Sequence, residues 1–223
     1  MSHTLVILGA AGGARLANWH LQEAYPGAKA AFVCDDVKGV TDVEIGGTVV
    51  PVISDWDFSR LREQHGDPES FRQFIVGTGF PKVKKILVRK ALAHGLEPAP
   101  TLVHPKSFGM GLDSSVGKGG MFSPGSTVAT NTALGDYVVL GPNTAIGHDC
   151  TIGDYVSCNL GGLVAGNVVL GEGVIVGAGA VVNERLRIAP GVVIGAQACV
   201  VRDVLEPDVT MDGVPAKKVS PPA

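Results

Sequence analysis

From residue 116 onward the chain carries an apolar side chain at every sixth position. The series runs Val116, Phe122, Val128, Leu134, Leu140, Ile146, Ile152, Cys158, Val164, Leu170, Val176, Val182, Ile188, Ile194 and Val200, with no polar interruption. In a chain that is 45% apolar, so long a run by chance has a probability on the order of 10⁻⁵. Glycine follows the apolar residue at 117, 135, 141, 147, 153, 171, 177 and 195, and elsewhere that slot holds Ala, Ser or Asn, with Val201 as the bulky exception. Two positions before it the side chain is mostly small or Val, as at Ser126, Thr132, Val138, Thr144, Cys150 and Val156. A helix, with about 3.6 residues per turn, cannot produce this repeat. A flat strand would alternate by two. Period six fits short strands joined by tight corners, one apolar side chain inward per strand, with Gly, Asn or Ala beside it letting the backbone turn or pack closely.

The first half follows a different rule. Thr4–Ala10 is an apolar run that ends in glycines and predicts a buried strand. A helix over Ala14–Tyr25 follows, with Gly12 and Gly13 in the turn between. Ala30–Asp36, ending in two carboxylates, Thr48–Ile53 and Phe71–Gly77 are further strand candidates. Pro81 suits the first turn of a helix over Lys82–His94, with Val83, Ile86, Leu87 and Ala91 on one face and Lys82, Lys85 and Arg89 elsewhere, and the charges of Lys82–Lys90 read as a solvated face. Strand and helix in alternation predict a mainly parallel α/β sheet.

Composition sharpens the division. Residues 1–109 hold 12 of the 18 Lys and Arg, whereas residues 110–205 hold four of them and 18 of the 31 glycines. The chain therefore divides into an α/β domain at 1–105 and a repeat domain with a short tail at 106–223. A net charge of −3 argues against a nucleic-acid partner, which calls for a basic surface. No apolar run reaches the ~18 residues of a membrane span. The four cysteines form no CxxC pair. The first apolar run has no Lys or Arg before it and reads as strand and turn rather than signal peptide, so a reducing, cytoplasmic setting is expected.

The period-six repeat resembles that of the left-handed parallel β-helices, in which three hexads make one triangular coil. Fifteen hexads then make about five coils, roughly 25 Å tall at the usual strand spacing. Most such proteins are acyltransferases that work as trimers, but the same prism also serves carbonic anhydrases and non-catalytic subunits. Histidine placement separates these readings. Of six histidines only His148 lies inside the repeat, too few for a zinc site of three imidazoles, and no metal is expected.

The whole chain narrows the resemblance. Leu5–Gly13, Cys34-Asp35-Asp36, Val76-Gly77-Thr78-Gly79, Val103-His104-Pro105, Gly147-His148-Asp149-Cys150 and Gly213-Val214-Pro215-Ala216, in that order, resemble the sialic-acid O-acetyltransferase-like family. Its best understood members are N-acetyltransferases acting on nucleotide-linked 4-amino-4,6-dideoxy sugars. The resemblance implies acetyl-CoA as co-substrate, a nucleotide-linked amino sugar as acceptor, and a homotrimer with sites between subunits. It makes His148 the general base, oriented by Asp149. Ala11, Gly12 and Gly13 become the turn that approaches the phosphates, Asp35 and Asp36 the acidic pair near the base or ribose, and Gly77 the loop that closes the pocket. Gly166 becomes the backbone amide facing the thioester oxygen, with Ala178 and Ala196 along the CoA groove. The chain departs from the family at Gly13, where many members have His.

Bland readings stand beside these. Gly9, Gly12 and Gly13 need only make a tight turn, and their spacing is not the GxGxxG of a dinucleotide site. Asp35 and Asp36 also fit a polar strand end. Cys150 and Cys158 fall in small or inward slots and suit packing better than nucleophilic attack, which favours direct transfer over an acyl-enzyme. The competing functions are O-acetylation of a free sugar such as sialic acid, and a non-catalytic assembly subunit.

Overall fold

The computed structural model describes residues 4–9, 11–35 and 39–219; Asp36 of the acidic pair and Ala10 of the first strand lie outside the described residues. The first unit runs β1 (Thr4–Leu8), α1 (Gly12–Ala24), β2 (Lys29–Val33), β3 (Asp42–Ile45), β4 (Thr48–Ile53), α2 (Ser59–His65), β5 (Gln73–Val76), α3 (Pro81–Ala93) and β6 (Glu97–Pro98). The sheet order is β3-β4-β2-β1-β5-β6. All neighbours are parallel except β3 and β4, whose hairpin turns on Gly46 and Gly47, both at positive φ. That Gly-Gly pair is a hairpin signal the strand reading passed over. Residues 5–8 of β1 and 30–33 of β2 are buried, as central parallel strands covered on both faces should be.

In the repeat, fifteen two-residue strands run from Ser115–Val116 to Cys199–Val200. Each of the first twelve pairs in parallel with the third strand after it, so the chain forms a three-faced column of stacked coils. The first face carries Thr127–Val128, Ala145–Ile146, Leu163–Val164, Val181–Val182 and Cys199–Val200. The second carries Ser115–Val116 through Arg187–Ile188, and the third Met121–Phe122 through Val193–Ile194. Leu102–Val103 extends the third face at one end, and a pair of strands at Thr210–Asp212 and Lys217–Val219 extends it at the other.

Two details of the repeat differ from the expectation. Most hexads send two side chains inward, because the residue two places before the apolar one is also buried, as at Thr132, Val138, Thr144, Cys150 and Val156. The turn itself lies two residues beyond the glycine slot. Every sixth residue from Gly119 to Gln197 has φ between 52° and 72°, a left-handed corner filled by Gly, Asn, Asp, Tyr, Arg or Gln. The inward slots stack into a continuous aliphatic core, which no single coil could bury alone.

The α/β unit docks on the third face, and its helix α3 corrects the reading of a solvated lysine face. Val83 and Ile86 are exposed, whereas Lys84, Leu87, Val88 and Ala91 are buried. The Lys84 ammonium donates to the carbonyls of Tyr137 (2.9 Å) and Val156 (3.1 Å) and to Ser157 Oγ (2.8 Å). Burial pushes its pKa down to about 7. Tyr137 stacks between Phe74 and Tyr155 at the same junction. The α/β core cluster accordingly takes in Met121, Tyr137 and Val139 from the column. Two of the other lysines of α3 also make ion pairs, Lys85 with Glu172 and Lys90 with Asp35. The helix lies between a sheet and the column, so two of its sides are packed and the single-face pattern fails.

Candidate active site

The first part of the site is a crevice in the α/β sheet. From the adjacent strands β1 and β5, α1 leads outward to β2 and α3 leads the other way to β6. Such a switch point leaves a gap beyond the carboxyl ends of the two strands, where ligands of open α/β sheets bind. Four glycines shape it. Gly9, at φ 122°, makes the turn and donates its N–H to Val33 O (2.7 Å). Gly12 opens α1, and a Cβ there would meet nothing within 4 Å, so its backbone is open to a ligand. At Gly13 a Cβ would stand 2.5 Å from Gly77 O, and at Gly77 it would stand 2.6 Å from Ile7 Cγ2. The structure thus brings Ala11, Gly12, Gly13 and Gly77 together, and Gly13 and Gly77 are where α1 and the loop after β5 touch. That contact leaves no room for a side chain at position 13. Ala11 caps α1 without a side-chain bond, and the first turn holds no acidic residue. The free N–H groups there carry the partial positive charge that suits an anion.

Asp35, just past β2, has both carboxylate oxygens engaged, one by Trp56 Nε1 (2.7 Å) and one by Lys90 Nζ (2.5 Å). The hydrogen bond from Lys90 holds its pKa below the usual carboxylate range. Trp56, at φ 62°, is buried and stacks on His94 at 5.2 Å. Asp35 therefore anchors one wall of this unit, a role that Trp56 and Lys90 share and that their sequence positions do not announce.

The second part is on the column. Gly147 leaves the first face, His148 follows on the surface, and Asp149 occupies the left-handed corner at φ 59°. That conformation, which Asp tolerates better than most residues, curls the carboxylate back beside the preceding imidazole. His148 Nδ1 lies 2.6 Å from Asp149 Oδ2. Asp149 Oδ1 accepts from Asn131 Nδ2 (2.5 Å), and hydrogen bonds from His148 and then Asn131 hold the Asp149 carboxyl below its ordinary pKa. A shallow groove on the second face, lined by Asp113, Ser115, Asn131 and Asp149 among others, opens this carboxylate to solvent.

Gly166 stands exactly one coil beyond His148 in the stack. A Cβ on Gly166 would lie 2.6 Å from His148 Nε2 and 2.7 Å from Cε1, so the glycine leaves the space the imidazole fills. The Gly166 N–H donates to no acceptor among the described residues. Ala178 and Ala196 are likewise stacked one coil apart and share the corner between the third and first faces, across the first face from His148. The structure brings Gly166 to His148 but does not bring Ala178 and Ala196 to them. Nor do the crevice and the imidazole meet within one chain. The α/β unit covers the third face, and His148 stands at the opposite corner, between the first and second faces.

Neither cysteine of this region is an activated nucleophile. Burial pushes the Cys158 thiol up to about 12 and raises that of Cys150, which donates to Ala165 O. No group of three or more His, Cys, Asp or Glu able to hold a metal occurs among the described residues, and no helix there is long and apolar enough to cross a membrane.

No known family profile and no curated protein matches the chain. Solved structures do. The acetyltransferase domain of PglB from Neisseria gonorrhoeae FA1090, in complex with acetyl coenzyme A, aligns with a TM-score of 0.81 and 26% identity over 98% of this chain and all of that one. PerB from Caulobacter crescentus, in complex with CoA and GDP-perosamine, aligns with a TM-score of 0.82 and 26% identity over 97% of each chain. Variants of that perosamine N-acetyltransferase with one histidine replaced by asparagine or alanine also match. WeeI from Acinetobacter baumannii AYE, 20% identical with a TM-score of 0.71 over 98% of this chain, shares the fold. The chain is thus similar, over nearly its whole length, to an acetyltransferase domain that binds acetyl coenzyme A and to an N-acetyltransferase that binds CoA and GDP-perosamine.

Proposed function

We propose that this chain transfers the acetyl group of acetyl-CoA to the amine of a nucleotide-linked 4-amino-4,6-dideoxy sugar. The observation that carries the reading is the solvent-facing imidazole of His148, its Nδ1 bound to Asp149 and its Nε2 free over Gly166. A carboxylate on Nδ1 fixes the tautomer and leaves Nε2 as a base. The likeness to PglB and PerB, whose structures hold acetyl coenzyme A or CoA with GDP-perosamine, supplies the substrates.

In this mechanism the sugar nitrogen attacks the thioester carbonyl while His148 Nε2 takes its proton. The oxyanion that forms accepts a hydrogen bond from the Gly166 N–H. The C–S bond then breaks, the CoA thiolate takes the proton from the imidazolium, and the amide is released. The nucleotide phosphates sit on the open N–H groups of Ala11–Gly13, with Gly77 closing the crevice, and Asp35 borders the nucleoside. Ala178 and Ala196 line the pantetheine groove. The column winds left-handed, and three copies assemble so that the crevice and Ala178–Ala196 corner of one subunit work with His148 of a neighbour. Leu160 and Leu163, exposed on and beside the first face, suit such a contact.

The test combines binding and turnover. One of UDP, GDP or dTDP should raise the melting temperature, because a ligand that binds only the folded state stabilises it by mass action. The matching amino sugar should then be acetylated, and His148→Ala should fold normally while losing ~10²–10⁴-fold in kcat. Stabilisation by none of the nucleotides, with transfer to free sialic acid, would establish the O-acetyltransferase instead; no CoA binding at all would establish an assembly role.

A further inference from the structure

We infer that Asn131 is a positioning residue for the imidazole: by anchoring the Asp149 carboxylate from the coil below, it sets the tautomer and orientation of His148. The inference rests on the proposed role of His148. Three observations carry it. Asn131 and Asp149 occupy the same left-handed corner of successive coils (φ 52° and 59°) and are joined by a 2.5 Å hydrogen bond. The two carboxylate oxygens have separate partners, Asn131 on Oδ1 and His148 Nδ1 on Oδ2. Asp149 is also solvent-exposed, so no packing holds its side-chain torsion. An exposed carboxylate with one hydrogen bond to an exposed ring would rotate among staggered wells. A second bond from the coil below leaves one orientation. The chain Asn131–Asp149–His148 follows the logic in which a base is oriented by a second group, itself held by a third.

The column supplies an internal control. Asn167 stands in the same corner one coil above Asp149, also left-handed at φ 60°. Its backbone N–H binds His148 O, and its side chain makes no hydrogen bond to Asp149 among the described residues. If any polar neighbour in the corner sufficed, the two asparagines would be equivalent; the geometry makes them different.

The experiment uses Asn131→Gly and Asn167→Gly in the full-length protein, since glycine keeps the left-handed corner without strain. Nitrogen chemical shifts of the His148 ring, read without substrate, report the tautomer. Asn131→Asp, of the same shape with the donor removed, is the second variant should the glycine loosen the corner. The expected result is a dominant Nδ1–H tautomer in the unmodified protein and in Asn167→Gly, and a mixture in Asn131→Gly and Asn131→Asp. Turnover of the Asn131 variants should fall about three- to tenfold, the span of one hydrogen bond, with KM for acetyl-CoA unchanged. An unmoved tautomer in both Asn131 variants overturns the inference whatever the rates. A moved tautomer with unchanged kcat overturns the link to the reaction. Because the ring is read without substrate, failure here is distinct from failure of the proposed acetyl transfer, which His148→Ala decides.

Discussion

At the scale of single residues, the site depends on what is missing as much as on what is present. His148 can occupy the space over Gly166 only because Gly166 has no side chain, and the atoms a Cβ would meet are those of an exposed ring that can shift at the cost of its surface hydrogen bond to Asp149. Gly166→Ala should therefore fold with stability within about 0.5 kcal/mol of the unmodified protein, as for surface substitutions. Its kcat should drop about 10- to 100-fold, because a base displaced by an ångström loses that much. Denaturation and steady-state kinetics on one preparation check both halves; full activity would mean that the ring position does not matter. His148, Asp149 and Gly166 could all be named from the sequence, whereas Asn131 could not be named from its local neighbourhood. The signal was nonetheless present: in a coil of three hexads, each residue stacks on the one three hexads later, so 131 is a direct neighbour of 149.

At the scale of elements, α3 joins the two units, and Lys84 is its buried contact. The lysine is charged below about pH 7 and neutral above it in the folded chain, whereas in the unfolded chain it stays charged to about 10.5. Between those values the unfolded state binds more protons, so this group makes stability rise with pH through the window. The slope it contributes rises toward about 1.4 kcal/mol per pH unit, the free energy of one proton over one unit. Lys84→Met should remove that slope, so in chemical denaturation at pH 7, 8 and 9 the stability of the unmodified protein minus that of the variant should rise with pH. A gap independent of pH would mean that Lys84 titrates alike in both states. The helical periodicity of Lys82–His94 was legible, but which sides it buries was not, because periodicity records that a helix has a packed side and not that a second body lies against it. The same holds for Asp35, whose partners Trp56 and Lys90 are 21 and 55 residues away.

At the scale of the whole molecule, the α/β unit covers one face of the column and His148 stands at the opposite corner, so the proposed reaction needs the crevice of one copy and the imidazole of another. A mixture of two inactive variants tests this. His148→Ala keeps the crevice, and Gly12→Phe, placed where a side chain meets open space, blocks the crevice and keeps His148. Co-expressed in equal amounts, they should recover about a quarter of full activity if crevice and base come from different copies of a cyclic oligomer. No recovery would place both on one subunit.

The sequence alone determined the column, because a repeat of six with one aliphatic slot per hexad has few ways to bury that slot, and stacking is local in sequence. It also determined the alternating sheet of the first unit and the His148–Asp149 pair, whose members are adjacent in the chain. Only the tertiary structure decided which face the α/β unit covers, which lysine is buried beneath it, and which asparagine holds the carboxylate. Those outcomes turn on contacts between residues 18 to 73 positions apart, whose energies depend on how two surfaces meet.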